Sequence, residues 1–453
     1  MLASCTVGPD YERPQFYPDA EVAKNLKLEQ AEASPVGQDW YKQFNDPALN
    51  RLIERAWAAS PNVRIAVHKL REARYGLLRS NVQSFPMLDI NAGYNYDRSS
   101  RDIGFSIDRD YYQLGMDASW ELDIWGGNRR AAEASRALFE AAGANLDNVR
   151  LVMAAEVANN YISLRTAQEQ LRVARENLKL QQEIYQLVQQ KYDVGLTDFI
   201  ALNQAQYAVE STKTLIPQLE SEIEAYKNAV TVLLGVLPDD LAGTLDNTAD
   251  NLVRRRLSYN LKQLYRLRVD VIRNRPDVRL AEQNLIAQNA AVGEAVANLY
   301  PDVSISGFVG WQSGKIAGLI NGDHSTYSYA PALKLPFFHW NQLMNTVNEQ
   351  KEVKEQYVLS YQNAVLSAVS ELRNSVVSIR QERQRNQAYR KSVKNMRNVL
   401  KYTLSKYKNG LIDFNDFAAG RTGTFESPDR TPGQQRFNLS VSDSFLQSGR
   451  RRF

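Results

Sequence analysis

Between Pro61 and Ser84 charged and apolar residues alternate with helical spacing, and the run stops at Phe85-Pro86, a proline stop signal. The period then changes. Leu88, Ile90, Ala92, Tyr94 and Tyr96 alternate with Asp89, Asn91, Gly93 and Asn95, which predicts a strand with one apolar and one polar face. Asp97 to Asp110, with Gly104, reads as a loop. Tyr112, Leu114, Met116, Ala118, Trp120 and Leu122 alternate with Gln113, Gly115, Asp117, Ser119 and Glu121, a second and longer strand. Together these make a hairpin over 87–123.

The pattern after Asp123-Ile124-Trp125-Gly126-Gly127-Asn128 is helical again. Val157, Leu164, Leu171, Leu178, Tyr185 and Tyr192 recur every seventh position, the signature of helices packed side by side. The predicted helix runs from about Asn128 to Lys191. At ~1.5 Å per residue, roughly 60 residues span on the order of 90–100 Å, too long for a compact globule. Val194-Gly195-Leu196 breaks it, and a return helix is predicted from about Asp198 to Leu234, glycine supplying the left-handed turn.

The second half repeats this plan at a constant offset of 215 residues. Ser60-Pro61-Asn62-Val63-Arg64 returns as Arg275-Pro276-Asp277-Val278-Arg279, Phe85-Pro86 as Tyr300-Pro301, and Lys191 to Phe199 as Lys406 to Phe414. Pro276 to Asn298 is a predicted helix. Val303, Ile305, Gly307, Val309 and Trp311 form one apolar strand face, Gln312–His324 is a loop, and Tyr327, Tyr329, Pro331, Leu333, Leu335 and Phe337 form the next, a hairpin over 302–338. Val365, Leu372, Ile379, Val393, Leu400 and Tyr407 share one seven-residue register, with Asn386 its polar member, and Asn409-Gly410 is the second turn. Copies of this size make two homologous halves, not a solenoid.

Four amphipathic strands cannot close a barrel, and open edges are not viable in lipid, so closure requires several chains. Three chains would supply a strand number within the range of known membrane barrels. Aromatic residues near the strand ends (Tyr94, Tyr96, Tyr111, Tyr112, Trp120, Trp311, Tyr327 and Tyr329) fit interfacial girdles. A soluble β-sandwich with helical arms is the other reading, but it leaves the aromatic-rich apolar faces without a reason.

Composition narrows the function. The net charge of +4 over 453 residues, with mixed signs, argues against a nucleic-acid binder, and Arg254-Arg255-Arg256 and Arg450-Arg451-Arg452 read as solvated surface. The three histidines, His68, His324 and His339, lack ligand spacing, so no metal site is expected, and no cofactor. No apolar run of about 18 residues exists, which excludes a transmembrane helix and leaves a β-barrel open. Gly314-Lys315 has Val309 where a phosphate-binding loop needs its first glycine, and no nucleophile elbow or zinc-protease motif occurs, so the chain does not read as an enzyme. The single cysteine, Cys5, ends Leu2-Ala3-Ser4-Cys5, which resembles a bacterial lipobox and marks Cys5 for lipidation. The charged and apolar parts of a signal peptide do not precede it; a chance cysteine near a chain end is the alternative. Thr6 is compatible with sorting to the outer membrane.

With this plan, the chain resembles the TolC-like outer membrane factors, in particular their OprM-type lipoprotein branch. The resemblance rests on Cys5 with Gly8-Pro9-Asp10-Tyr11-Glu12-Arg13-Pro14, on Trp40-Tyr41-Lys42-Gln43-Phe44 leading to Asp46-Pro47-Ala48-Leu49, and on Ser60-Pro61-Asn62. Glu121-Leu122-Asp123-Ile124-Trp125-Gly126, Arg275-Pro276-Asp277-Val278 and both Gly-Leu tips complete it, over residues 5 to about 416. It implies an α+β membrane protein. A trimeric β-barrel with four strands per chain continues as a long periplasmic α-helical barrel, with a mixed equatorial region and two internal repeats. It implies the outer membrane of a Gram-negative bacterium, outer-membrane lipid around the barrel, a homotrimer, a periplasmic adaptor and an inner-membrane pump of the RND type. The function implied is passive efflux through a channel. A lipid-anchored trimeric coiled-coil stalk or adhesin is the alternative; it leaves the paired hairpins unexplained.

The expected divisions are 1–60 (lipidated and equatorial), 61–237 (first repeat), 238–275 (equatorial connector), 276–416 (second repeat) and 417–453 (atypical end). In the last, Phe417-Ala418-Ala419-Gly420 leads into Gly423, Pro428, Pro432 and Gly433 instead of a second return helix, through a shifted reading frame or divergence.

The functional candidates lie at the two turns. Threefold symmetry would bring three copies of each near one axis, where Asp198, Asp413 and Asp416 could form carboxylate rings that attract cations, with Tyr192 and Tyr407 one turn before. Asp198 and Asp413 could equally cap the return helices. The family's gating carboxylate would fall near Ala419, which carries no charge. Val194, Gly195, Asn409 and Gly410 are the expected adaptor-docking tips.

Overall fold

A computed structural model describes residues 6–17, 40–98, 102, 108–246 and 270–417. Cys5, both arginine triplets and residues 418–453 lie outside the described residues. The described residues fall into two compact units. One holds residues 6–16, 68–145 and 279–364; the other holds 17, 40–67, 146–246, 270–278 and 365–417.

The helices are α1 (Pro47–Ala59), α2 (Pro61–Val82), α3 (Gly127–Asp193), α4 (Phe199–Leu234), α5 (Pro276–Ala297) and α6 (Trp340–Lys408). The strands are β1 (Met87–Arg98), β2 (Asp108–Glu121), β3 (Asp302–Ser313) and β4 (Ser325–Lys334). Most predicted bounds hold to within two residues. Two do not. β2 begins at Asp108, inside the predicted loop, because it pairs with β1 as far as Arg98. β4 ends at Lys334, so Leu335 and Phe337 are not in the strand; Pro336 lacks the N–H that would continue the ladder.

In the first unit the four strands form one antiparallel sheet in the order β1-β2-β3-β4, the two hairpins joined edge to edge through β2 and β3. Cross-strand register aligns the faces. Ile90, Met116, Val309 and Tyr327 form one row, and Leu88, Ala118, Gly307 and Tyr329 another. Asn91, Gly115, Gly310 and Thr326 lie in a row of the other face, as do Asp89, Asp117, Phe308 and Ser328. Ile90, Val309, Tyr327, Tyr329 and Leu333 are exposed. Phe308 is the odd member of the polar face. Its ring lies over Gly115 and Gly310, where added side chains would collide with it; aromatic cover of sheet glycines fills the missing volume. Among the described residues β1 and β4 each keep one unpaired edge.

Residues 6–16 are strapped onto this unit. The Val7 N–H donates to the Trp125 carbonyl at 3.0 Å, Asn289 Nδ2 to the Pro9 carbonyl at 3.0 Å, and Arg130 Nη2 to Asp10 at 2.7 Å. Tyr11 and Arg13 both donate to Glu282. Trp125 stacks on Tyr300, with ring centroids 4.7 Å apart, and its Nε1 donates to the Pro301 carbonyl at the foot of β3.

In the second unit Asp46 caps α1 by accepting from the Ala48 and Leu49 N–H groups at 2.8 and 3.0 Å. The other oxygen of the same carboxylate accepts from the Tyr161 hydroxyl at 3.0 Å; burial pushes that hydroxyl up to about 12. Trp40, Tyr41 and Phe44 are buried beside it. Pro217 lies inside α4 without ending it; a proline removes one ladder bond and strains the preceding turn, which a long packed helix tolerates. The predicted heptad of α3 holds at Val157 and Leu164. Farther along, the buried positions are Ala174, Gln181, Ile184 and Val188, and Tyr192 is exposed. The seam slips because α3 meets different partners along its length, and each partner selects its own face.

Candidate functional site

Each long helix ends in the same turn. In α3 the Gly195 N–H donates to the Tyr192 carbonyl at 2.9 Å and the Leu196 N–H to the Lys191 carbonyl at 2.8 Å. In α6 Gly410 donates to Tyr407 at 3.1 Å and Leu411 to Lys406 at 3.0 Å. This double bond pattern satisfies the orphan carbonyls of a helix end and needs a left-handed residue at its corner. Gly195 and Gly410 supply it, at φ +73 and +70°, and a methyl group on either would meet no atom within 4 Å. The strain of an alanine there is therefore purely torsional. Gly195→Ala and Gly410→Ala are each expected to cost about 1 kcal/mol, read as additive losses in thermal stability of the purified protein.

Both predicted aspartates beyond the turns cap helices. Asp198 Oδ1 accepts from the Ala201 N–H at 2.8 Å, and Asp413 Oδ1 from the Asp416 N–H at 2.8 Å. The Asp416 side chain is exposed, within the first helical turn after the Asp413 cap. Val194, Leu196, Phe199, Ile200 and Leu411 are exposed, with Asn409 beside them. The tip therefore presents exposed apolar residues, with Asp198, Asp413 and Asp416 close by in the sequence.

Beneath it the two tips share one core. Ile184, Val188, Ala201, Leu202 and Ala205 from the first repeat pack with Tyr407, Phe414 and Phe417 from the second. Tyr407 stacks on Phe417 (5.2 Å, 21°) and meets Phe414 edge-on (5.9 Å). Lys191 Nζ lies 4.1 Å from the Tyr407 ring centre and donates to the Tyr407 carbonyl at 3.1 Å, linking one tip to the other. Burial raises the Tyr407 hydroxyl above its ordinary range.

The repeats differ here. Tyr192 and Phe199 stand where Tyr407 and Phe414 do in the second copy, yet Phe199 is 63% exposed against 5% for Phe414. Of the sequence candidates, Tyr407 is core and Tyr192 is surface. Phe414, Phe417 and Lys191 carry the junction and were not singled out by the sequence reading. The signal for Lys191 and Phe414 was the repeated Lys-Tyr and Phe at matching offsets, which marks the positions but not their surroundings; Phe417 has Leu202 at its matching position.

Among the described residues no group of His, Cys, Asp and Glu could hold a metal ion, and no helix is long and apolar enough to cross a membrane.

The sequence profile of the family described as outer membrane efflux protein matches residues 52–236 and 267–425. Nodulation protein T of Rhizobium leguminosarum bv. trifolii is 25% identical over 411 residues, covering 90% of this chain and 86% of that protein. The probable efflux pump outer membrane protein TtgC of Pseudomonas putida is 25% identical over 451 residues, covering 97% and 91%. The structure of the outer-membrane channel OprN superposes with a TM-score of 0.87 at 27% identity, covering 98% of both chains. The profile spans both repeats, with their hairpins, long helices and tips, and the chain belongs to the outer membrane efflux protein family.

Proposed function

We propose that this chain is the outer-membrane channel of a tripartite efflux system, conducting solutes passively from a periplasmic adaptor and an inner-membrane pump of the RND type. The observation that carries the reading is the sheet. It has a continuous apolar face and two unpaired edges. Unpaired backbone is not viable in lipid, and three copies joined β1 to β4 leave none. In this reading the apolar face meets lipid, the polar face lines water, Cys5 carries the lipid anchor, and the long helices form the periplasmic tube. The reading involves no catalysis.

The exposed residues Val194 and Leu196, with Gly195, Asn409, Gly410 and Leu411, are the surface on which the adaptor docks. Asp198, Asp413 and Asp416 form the acidic rim of the gate, with Tyr192 beside it and Tyr407 holding it from below.

The test is conductance of the purified protein in planar bilayers. A heat-resistant trimer with stable, cation-preferring conductance is expected. Asp413→Asn with Asp416→Asn keeps the cap, since asparagine caps as well as aspartate, and removes the charge. Cation preference should fall; if it is unchanged, the rim does not select ions. A monomer with no conductance would overturn the channel reading itself.

A further inference from the structure

The two repeats share a backbone but not a charge pattern. Between Glu382 and Asp413 the chain carries nine Lys and Arg and no carboxylate. The matching stretch of the first repeat, residues 168–197, carries four of each sign. Residues in α6 therefore hold a block of positive charge that the duplicated copy lacks.

The block is ordered. Arg390, Lys394, Arg397, Lys401 and Lys408 are all exposed. Their spacings of four, three, four and seven keep them within about 60° of one another at ~100° per residue, along roughly 27 Å of helix. Like charges three and four apart destabilise a helix by a few tenths of a kcal/mol per pair, so folding alone does not favour the arrangement. Beside the stripe α6 meets its own chain at Tyr407, about 100° around the helix from Lys408.

The first repeat says which way this face looks. Arg175, Lys179, Gln182, Gln186 and Asp193 occupy the matching positions in α3 and are exposed although the return helix α4 is in place. About two turns earlier on that face Gln168 donates to the Leu245 carbonyl at 2.8 Å, and Arg165 reaches the same oxygen at 3.0 Å. A groove of about 490 Å³ follows, lined by Glu169, Arg172, Arg175, Lys227 and Asp246. Residues 244–246 belong to the connector between the repeats. A connector inside a conduit would block it, so this is the outer face, and the repeat puts the α6 stripe outward as well. In α3 the cations of this face are neutralised: Arg172 by Glu169 and Glu176, and Arg175 by Glu220 of α4.

We propose that the α6 stripe is a lengthwise docking face for a partner protein helix bearing carboxylates at matching three- and four-residue spacing. Opposite charges at such positions set partner choice and orientation between helices. The chain's own C-terminal residues 418–453 do not supply the complement, having six arginines and three acidic residues. A second copy is no better. Of the four α4 carboxylates, Glu210, Glu220 and Glu224 already face Lys213, Arg175 and Lys227, and Glu222 accepts from Gln218, which leaves no row of carboxylates to match the stripe. The proposal deepens the adaptor part of the channel reading, and rests on that reading for the direction outward.

The test uses the full trimer in detergent and two labelled peptides of 28 residues and equal composition. One carries glutamates at three- and four-residue spacing; the other has them scattered around all faces. The ordered peptide is expected to bind about tenfold tighter in low salt. In the variant Arg390→Gln/Lys394→Gln/Arg397→Gln/Lys401→Gln that preference should vanish, while heat-resistant trimer and single-channel conductance persist. The variant Arg390→Lys/Arg397→Lys should keep it. Equal binding of both peptides overturns the proposal, as does loss of binding to cell-wall sacculi in the glutamine variant without any peptide preference; the stripe is then a site for any polyanion. Intact conductance with no peptide binding overturns the stripe alone, whereas absent conductance in the unmodified protein overturns the channel reading and the outward direction with it.

Discussion

Truncation of Tyr407 to alanine is expected to destabilise the periplasmic tip by about 3–5 kcal/mol, the range for emptying a buried aromatic site. Tyr407 is 2% exposed and holds Phe414, Phe417 and Lys191 together. Its loss empties the middle of the core between the two tips, which come from halves of the chain 215 residues apart, and leaves Phe414, Phe417 and the Lys191 bond to the residue 407 carbonyl to hold them. Hydrogen exchange should accelerate in residues 184–205 and 407–417 together, because one core covers both. If Tyr407 supports a gate, as proposed, conductance should rise as well. Tyr407→Phe should behave differently. The hydroxyl is buried without a hydrogen-bond partner among the described residues. An unsatisfied buried hydroxyl costs about 1–3 kcal/mol, so removing it should leave stability equal or slightly higher. If both substitutions destabilise to the same degree, the hydroxyl has a partner in the assembled channel and the tip core is organised around it.

Arginine in place of Val309 is expected to cost about 2–4 kcal/mol of stability in lipid, the price of a cation on the outside of a membrane barrel near mid-depth. Val309 lies mid-strand in the row with Ile90, Met116 and Tyr327, and is 59% exposed in the single chain. Ser306 belongs to the opposite face, in the row with Ser119 and Ala330. Arginine there faces water in the channel reading and should change stability by less than about 1 kcal/mol. The measurement is urea-titrated folding into vesicles, with recovery of heat-resistant trimer as the second readout. Equal tolerance of both arginines would mean that neither face meets lipid.

Much of this molecule is legible in its sequence, for reasons particular residues make plain. Pro61 and Pro276 open helices because proline suits a first helical turn, and Gly195 and Gly410 close them because a left-handed corner is available to glycine at no cost. The alternation of Leu88, Ile90 and Tyr94 with Asp89 and Asn91 specifies a strand and its two faces together. What the pattern does not specify is which neighbour a face will meet. Tyr192 and Tyr407 are the same letter at the same place in the repeat, and one is surface while the other is core. Phe308 interrupts a polar face because two glycines on neighbouring strands leave room for its ring, a fact of register. Leu335 and Phe337 continue the alternation of β4 beyond its end, because periodicity does not register the N–H that Pro336 lacks.

The sequence by itself determined the duplicated plan, the strands, the long helices, the turns and the membrane character of the sheet. Each of these follows from local stereochemistry or from a period, and both are written along the chain. Only the tertiary structure decided that the two tips share one core, that Asp198 and Asp413 cap helices, and which of two equivalent tyrosines enters that core. Those outcomes depend on which residues meet across long separations. Identical local sequences have identical preferences, and only their different surroundings tell them apart.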